Sequence, residues 1–172
     1  MNRYYSELDS PIGTLLLRGT STAVTHLHMQ RQRYRSKLPA DVAYDDEVFR
    51  DARSQLRAYF DGTLQRFDFP LAPEGTDFQT LVWRALLEIP FGATESYGSL
   101  AKRIGHVGAA RAVGLANGHN PIGIVIPCHR VIGADGSLTG YGGGIERKQW
   151  LLEHERRYSS QRFPHQTSLQ LT

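Results

Sequence analysis

Residues 67–76 divide the chain into two parts that differ in hydrophobic periodicity. This segment contains two prolines and a glycine, and we interpret it as a linker. Short alternating apolar runs before it are typical of β-strands, whereas apolar residues after it recur with the period of α-helices. We therefore predict an α/β chain of the α+β class. It has a small N-terminal antiparallel sheet and a helix in residues 1–75, a mostly helical C-terminal domain in residues 76–157 and a polar tail in residues 158–172.

In the first part, the spacing of apolar and turn-forming residues predicts three strands and one helix. Arg3–Leu8 and Thr14–Arg18 flank a segment with a proline and a glycine, as expected for a hairpin, and Ala23–Met29 adds a third strand. Asp45–Asp61 has acidic residues in its first turn, an apolar face and Gly62 at its end, which are typical of a helix. No residue of this part indicates a particular chemistry.

The second part contains four predicted helices. They are Asp77–Ile89, Tyr97–Ile104, Ala109–Gly118 and Gly144–Arg157. A turn with two glycines joins the two short helices, which is the outline of a helix-turn-helix, although other helical hairpins share it. Arg111, Gly114 and Gly118 lie on one face of the second short helix. This nearly bare face either approaches a nucleic acid closely while reading few bases or packs against another helix.

Composition restricts the classes of function. The net charge of +3 resides entirely in residues 76–172, which is a weak sign of nucleic-acid binding. A single cysteine excludes an internal disulfide and a cysteine-rich zinc site, and we expect no metal. No apolar run approaches the roughly 20 residues of a spanning helix. The first residues also lack an apolar segment, so we expect a cytoplasmic protein without membrane contact.

Cys128 follows the apolar run 122–126 and Pro127. We interpret this run as a strand that ends at the proline. A lone cysteine in apolar surroundings is usually an inert core residue. Here His129 offers a base and Arg130 a positive charge, and such neighbours lower the pKa of a thiol from its usual value of about 8.5. The alternative interpretation is therefore a reactive cysteine.

Glu155 completes this pattern. It shares one side of the last predicted helix with Leu151 and Leu152, so it should face the core, where a carboxylate needs a partner. We predict that the partner is His129 and that Glu155, His129 and Cys128 form an acid–base–nucleophile relay. The other interpretation leaves Glu155 in solvent near the end of its helix.

The sequence Ile-Pro-Cys-His-Arg-Val at 126–131 resembles the active-site signature of the O6-alkylguanine-DNA alkyltransferases, also called methylated-DNA–protein-cysteine methyltransferases. Further matches follow in the family's order: Ser96-Tyr97, residues 109–114, Asn120-Pro121, Tyr141 with Gly142-Gly143, Trp150-Leu151-Leu152 and His154-Glu155. The resemblance is close over about residues 76–157 and loose before them.

This resemblance implies direct reversal of DNA damage. Members transfer the alkyl group of O6-alkylguanine, and by extension of O4-alkylthymine, from double-stranded DNA to a cysteine, here Cys128. The transfer happens once per molecule and without a cofactor, and the damaged base leaves the duplex to reach the thiol. The resemblance also implies a monomer that binds the minor groove, with cooperative binding along DNA as a further expectation.

The family's residue roles carry over to the matching positions. His129 would activate Cys128 through a water molecule, Glu155 would polarise His129, and Asn120 would brace this segment as a hinge. Tyr97 would donate a proton to the departing guanine. The implied DNA-binding residues are Arg111, which fills the gap left by the flipped base, with Ala110, Gly114, Asn117 and Gly118. The implied pocket residues are Tyr141, Gly142, Gly143 and Trp150, with backbone N–H groups directed at O6.

Two positions depart from the family pattern, and three other functions remain open. Gly142 replaces a serine of some relatives, which leaves only a backbone donor, and Gly123 replaces a proline of vertebrate members, which widens the pocket entrance. The alternatives are a non-enzymatic alkyltransferase-like lesion-binding protein, a Cys-His-Glu hydrolase and a DNA-binding regulator. The first normally lacks the cysteine, the second needs an oxyanion hole, and the third needs a base-reading helix.

Overall fold

A four-stranded sheet forms the first half of the computed structural model, which describes residues 2–33 and 37–161. Its strands are β1 (Arg3–Leu8), β2 (Leu15–Gly19), β3 (Val24–Met29) and β4 (Val42–Tyr44), in the order β3-β2-β1-β4. The first three strands pair antiparallel, as predicted. β4 pairs parallel with β1 and was not predicted, because a strand of three residues is too short to show a periodicity.

The helix α1 (Arg50–Phe60) packs against this sheet and is shorter than the predicted helix at 45–61. The predicted start at Asp45 is wrong. The carboxylate of Asp45 accepts hydrogen bonds from the backbone N–H groups of Glu47 (2.9 Å) and Val48 (3.2 Å), and so closes a turn ahead of the helix. Gly62 has the positive φ, 75°, of the expected helix-terminating glycine.

The connection at 67–76 is held against the sheet. Phe67, Phe69 and Leu71 are buried, and Leu71 forms an isolated parallel bridge with Val24. Through these side chains the connection joins a hydrophobic core that contains residues of both halves. The α+β class is confirmed, while the division into domains at residue 75 stays a prediction.

The second half consists of four helices and one short strand pair. These elements are α2 (Asp77–Leu87), β5 (Glu95–Ser96), α3 (Tyr97–Arg103), α4 (Ala110–Gly118), β6 (Val131–Ile132) and α5 (Ile145–Tyr158). α2 begins at a capping box made by Thr76 and Gln79. Residues 104–109 join α3 to α4 through Gly105 and Gly108, both of which have positive φ. Two short helices joined by a turn are thus present, and their assignment as a helix-turn-helix stays a prediction.

The last helix, α5, ends one residue later than predicted. Because α5 extends to Tyr158, the predicted polar tail begins one residue later, and residues 162–172 of that tail lie outside the described residues.

Across residues 2–33 and 37–161, none of the helices is long and apolar enough to cross a membrane. The same residues contain no group of three His, Cys, Asp or Glu side chains that could hold a metal ion.

Candidate active site

Cys128 is buried at the start of a single 3-10 turn, Cys128–Arg130. The predicted strand before it is wrong: residues 122–126 form a tight turn in which Ile124 has a φ of 71°. A backbone hydrogen bond from Ile126 to Ile122 (3.0 Å) closes this turn, and the side chain of Asn120 holds its two ends. Its Nδ2 donates to the carbonyl of Ile126 (2.7 Å), and its Oδ1 accepts from the backbone N–H of Ile122 (3.0 Å). Asn120 thus braces the segment that carries Cys128.

His129 and Glu155 form the predicted pair. Both side chains are fully buried, and Nε2 of His129 lies 2.7 Å from Oε1 of Glu155. Burial lowers the pKa of His129 although the charge of Glu155 opposes this effect, so the imidazole is neutral near pH 7. A neutral ring that donates through Nε2 keeps Nδ1 as an acceptor. Nδ1 is buried and has no hydrogen-bond partner among the described residues.

Glu155 also binds three groups that the sequence did not reveal as its partners. Arg130 donates from Nε to Oε2 (2.9 Å) and from Nη2 to Oε1 (3.0 Å). The hydroxyl of Tyr59 donates to Oε1 (2.8 Å), and the backbone N–H of Gly92 donates to Oε2 (3.1 Å). Burial favours the neutral acid, but the charge of Arg130 and the hydrogen bonds from His129 and Arg130 hold the pKa of Glu155 far below its usual value.

Arg130 does not lower the pKa of Cys128, and this prediction was wrong. Its guanidinium is committed to Glu155 and to the carbonyl of Ile89 (2.6 Å). Burial instead raises the pKa of the Cys128 thiol, against the smaller opposing effects of Asn120 and Lys148. The thiol is therefore protonated at rest, and a base must remove its proton before it can act as a nucleophile.

Lys148 is the cation that acts on the thiol, and sequence reasoning missed it. Its buried ammonium donates to the carbonyls of Val131 and Thr139 (3.0 Å to the latter). Burial lowers the pKa of Lys148 to about 8, although the charge of Cys128 raises it in part. Lys148 precedes Glu155 by two helical turns on the buried face of α5, and this spacing was the signal that could have identified it.

Tyr97 and Tyr141 lie close enough to Cys128 to sense its charge. Burial is the main cause that raises the pKa of each phenol, and the charge of Cys128 adds to it. Tyr97, the first residue of α3, donates its hydroxyl to the carbonyl of Thr139 (2.8 Å). Tyr141 is buried, with its hydroxyl 3.9 Å from the sulfur of Met29. The fold thus brings both predicted tyrosines to the thiol, with the Tyr97 proton engaged by the backbone.

A cavity of about 430 Å³ lies between α4 and the loop that precedes α5. It is lined by Arg33, Gly114, Leu115, Gly118, Gly140, Tyr141, Gly142, Gly144 and Ile145. Tyr141 therefore belongs to the cavity wall and to the surroundings of Cys128. Gly143 packs closely behind this wall, where an added Cβ would lie 2.6 Å from the sulfur of Met29. Two of the four predicted pocket residues, Tyr141 and Gly142, thus line the cavity, and Gly143 packs against Tyr141 and Met29.

Trp150 is the fourth predicted pocket residue, and the structure does not bring it to this wall. Its ring stacks on His154 with 4.9 Å between the ring centroids, and it lies 5.9 Å from Phe60 of α1. The helical period explains the difference: Trp150 and His154 share the side of α5 that faces α1, whereas Lys148 and Glu155 lie on the side that faces the thiol.

The helix α4 exposes Arg111 and turns Asn117 inward. Arg111 is solvent-exposed, and Ala110, Gly114 and Gly118 are partly exposed, the two glycines at the cavity. The opposite face packs on α2, where Nε1 of Trp83 donates to the carbonyl of Ala116 (2.9 Å). Asn117 belongs to this buried face and donates to the carbonyl of Cys128 (3.2 Å), so its assignment to the DNA-binding face was wrong.

Comparison with known proteins identifies the family. Residues 77–157 match the DNA binding domain, and residues 3–73 the ribonuclease-like domain, of 6-O-methylguanine DNA methyltransferase. A methylated-DNA–protein-cysteine methyltransferase of Methanosarcina barkeri is 53% identical over 152 residues, which cover 88% of this chain and 96% of that protein. The chain belongs to the methylated-DNA–protein-cysteine methyltransferase family.

Other members of this methyltransferase family support the assignment over nearly the whole chain. The methyltransferase of Mycobacterium bovis is 56% identical over 155 residues, 89% of this chain and 92% of its own length. A crystal structure of Mycobacterium tuberculosis OGT in complex with DNA has 55% identity and a TM-score of 0.85, covering 90% of this chain and 94% of that one. The Mycobacterium tuberculosis O6-methylguanine methyltransferase gives 54% identity and a TM-score of 0.83, with coverages of 91% and 94%.

Proposed function

We propose that the chain repairs DNA by irreversible transfer of the alkyl group from O6-alkylguanine to Cys128. Family membership supports the class of reaction, and Cys128 is the single cysteine of the sequence. The observation that carries the proposal is the buried 3-10 turn in which Cys128 directly precedes His129, whose ring is bound to Glu155. A nucleophile, a base and an orienting acid in one cluster are the arrangement that thiol activation requires.

The proposed step is a displacement at the alkyl carbon. The thiolate sulfur of Cys128 forms a bond to that carbon, the bond from carbon to O6 breaks, and its electron pair leaves with the guanine. The departing base then takes up one proton. The product is an alkyl thioether, which has no route of hydrolysis comparable to that of a thioester, so each molecule reacts once.

His129 is the proposed base. Because burial keeps its imidazole neutral and Nε2 is bound to Glu155, the buried Nδ1 is the nitrogen available to accept the proton of Cys128. We propose that a water molecule carries this proton between the two side chains. Glu155 stabilises the resulting imidazolium, which makes proton removal easier from a thiol whose pKa burial has raised.

Tyr97 is the proposed donor of the proton that the guanine takes up. Its raised pKa keeps the hydroxyl protonated, as a general acid requires. This hydroxyl is bound to the carbonyl of Thr139, so we expect that bond to break when the damaged base enters. The backbone N–H groups near Tyr141, Gly142 and Gly143 are the proposed donors to O6.

The burial of Cys128 supports base flipping. A stacked base cannot bring O6 in line with a thiol that is 5% exposed, so the nucleotide must leave the duplex. We propose that α4 enters the minor groove, since the partly exposed glycines permit close approach and Arg111 can fill the gap left by the base. We further propose a monomer in the cytoplasm that binds DNA cooperatively and also accepts O4-alkylthymine, whose alkyl group is likewise attached to an exocyclic oxygen of the base.

Intact-mass measurement after mixing with duplex DNA that contains O6-methylguanine tests the proposal. We expect a gain of one methyl group on every reactive chain, located at Cys128 by peptide mapping. A Cys-His-Glu hydrolase would instead turn over a chromogenic ester repeatedly and gain no mass, and a lesion-binding protein would retain the DNA without reacting. Repeated turnover on excess methylated DNA would contradict the single-use mechanism.

A further inference from the structure

Tyr59 connects the N-terminal half of the protein to the reactive cluster. It lies in α1, is fully buried, and packs its ring against Phe67, Phe91 and His154 with centroid distances of 5.4, 5.9 and 5.3 Å. These packing contacts would be served equally well by a phenylalanine. The hydroxyl, which donates to Oε1 of Glu155 at 2.8 Å, is therefore the feature that needs an explanation.

The oxygen that Tyr59 binds is the one that supports His129. Oε1 accepts from Nε2 of His129, from Nη2 of Arg130 and from the Tyr59 hydroxyl, whereas Oε2 accepts from Nε of Arg130 and from the backbone of Gly92. Burial raises the pKa of Tyr59 well above its usual value, so the hydroxyl remains a donor throughout. The three donors at Oε1 draw on the same negative charge, and each weakens the bond that the others make.

The other titratable groups around the His129–Glu155 pair bind elsewhere and do not donate to Oε1 of Glu155. Lys148, on the buried face of α5, affects His129 through its charge and binds the carbonyls of Val131 and Thr139. Tyr141 senses the charge of Glu155, and its hydroxyl contacts the sulfur of Met29. His154 precedes Glu155 in the helix, but its Nε2 binds the carbonyl of Tyr59. Tyr59 is thus the neutral donor that shares Oε1 with His129.

We propose that Tyr59 is a positioning residue of the transfer reaction, whose hydroxyl takes up part of the negative charge of Glu155 and so limits how strongly Glu155 supports His129 as a base. This inference rests on the function proposed above. Without the hydroxyl, the bond from His129 to Oε1 becomes stronger and the imidazolium is stabilised. His129 then accepts the proton of Cys128 at a lower pH, an effect opposite in sign to that of Glu155→Gln.

The experiment compares Tyr59→Phe with Leu56→Val in the full chain. Leu56 is a suitable control because it lies one turn earlier in α1, is equally buried and has no polar group. Two pH profiles are measured: single-turnover transfer from O6-methylguanine duplex, and alkylation of Cys128 by iodoacetamide followed by intact mass. Thermal melting of each variant reports the loss of stability separately.

We expect both profiles of Tyr59→Phe to move to lower pH by on the order of half to one unit, the range set by the net contribution of one ordinary hydrogen bond. Leu56→Val should melt earlier and keep the wild-type midpoints. The double variant Tyr59→Phe/Glu155→Gln should have the midpoint of Glu155→Gln alone, because Tyr59 acts through that carboxylate.

An unchanged midpoint in Tyr59→Phe, or a shift to higher pH, overturns the inference. An equal shift in Leu56→Val also overturns it, because packing would then be the cause. Failure of the proposed function looks different: the wild-type chain would react with iodoacetamide and take no methyl group from DNA. The iodoacetamide profiles of the variants would still decide whether Tyr59 limits His129.

Discussion

The buried cluster around Glu155 and the exposed face of α4 differ in how firmly the fold holds their side chains. The carboxylate of Glu155 accepts five hydrogen bonds, from α1, from the turn after α2 and from the 3-10 turn of Cys128. Arg111, by contrast, projects into solvent beside two partly exposed glycines. The comparison indicates two requirements. Groups that move a proton need a fixed geometry, whereas a side chain that enters a duplex must not be committed to bonds within the protein.

The largest effect is expected for Cys128→Ser, which separates the chemistry of the buried cluster from DNA binding. The change barely alters volume but replaces the thiol by a much weaker nucleophile. Transfer to the protein should be lost completely, while affinity for DNA, measured by fluorescence anisotropy at fixed salt, stays near that of the wild type. A methylated Cys128→Ser chain in the mass spectrum would place the acceptor elsewhere.

Tyr97→Phe tests a residue at the start of α3, between the buried cluster around Glu155 and the exposed face of α4. The substitution keeps the ring and deletes the hydroxyl. If that hydroxyl protonates the departing guanine, single-turnover transfer should slow by roughly 10²–10⁴, the usual contribution of a general acid. Because the hydroxyl also binds the carbonyl of Thr139, DNA affinity and melting temperature are measured in parallel. Near wild-type transfer with unchanged affinity would exclude Tyr97 from the mechanism.

Glu155→Ala and Glu155→Gln test how much the buried cluster around Glu155 contributes to stability and to the transfer reaction. Removing the carboxylate leaves Arg130 buried without its counter-charge, so Glu155→Ala should lower the free energy of unfolding by roughly 3–5 kcal/mol. Glu155→Gln keeps the shape and should lower it less. In Glu155→Gln the loss of charge also makes His129 a weaker base, so the transfer profile should move to higher pH. Two variants that melt and react like the wild type would show that the relay has no role.

The pKa values of Glu155 and His129 predict how the stability of the protein depends on pH. The pKa of Glu155 is lower in the folded state than its unfolded value of about 4.3, so its contribution is complete above that value and declines as the pH falls below it. His129 also has a lowered pKa, so it adds a loss of stability as the pH falls below about 6.5. Chemical denaturation from pH 7 to pH 3 should show both losses in the wild type, and Glu155→Gln should lack the lower one.

Arg111→Ala addresses the exposed region and should have the smallest effect. Extrusion of a base costs a few kcal/mol, so loss of the side chain that fills the gap should slow repair of duplex DNA about tenfold or more. Reaction with free O6-benzylguanine, which needs no extrusion, should be nearly unchanged. Arg84→Ala removes an exposed cation from α2 and serves as the charge-matched control. Equal loss on both substrates would assign Arg111 to the pocket or the fold.

The sequence by itself determined the features that depend on local periodicity. Helical spacing placed Glu155 on the buried side of α5 with Leu151, and a buried carboxylate needs a partner, which identified His129. The residues around Cys128 also carried the family resemblance. Three strands, the helical outline of the second half and the reactive cysteine were therefore predictable, because each depends on residues close together in the chain.

Only the tertiary structure decided which residues meet across the chain. Tyr59 and Glu155 are 96 residues apart, and periodicity shows that each is buried but not that they touch. Asn117 and Trp150 were assigned from the family's pattern, yet packing against neighbouring elements fixes the direction of each side chain. The turn at 122–126 reads as a strand because its residues are apolar, and only the structure shows that a backbone hydrogen bond from Ile126 to Ile122 and the side chain of Asn120 close it. A local pattern fixes which side of an element is buried, whereas the partner on that side depends on how distant elements pack.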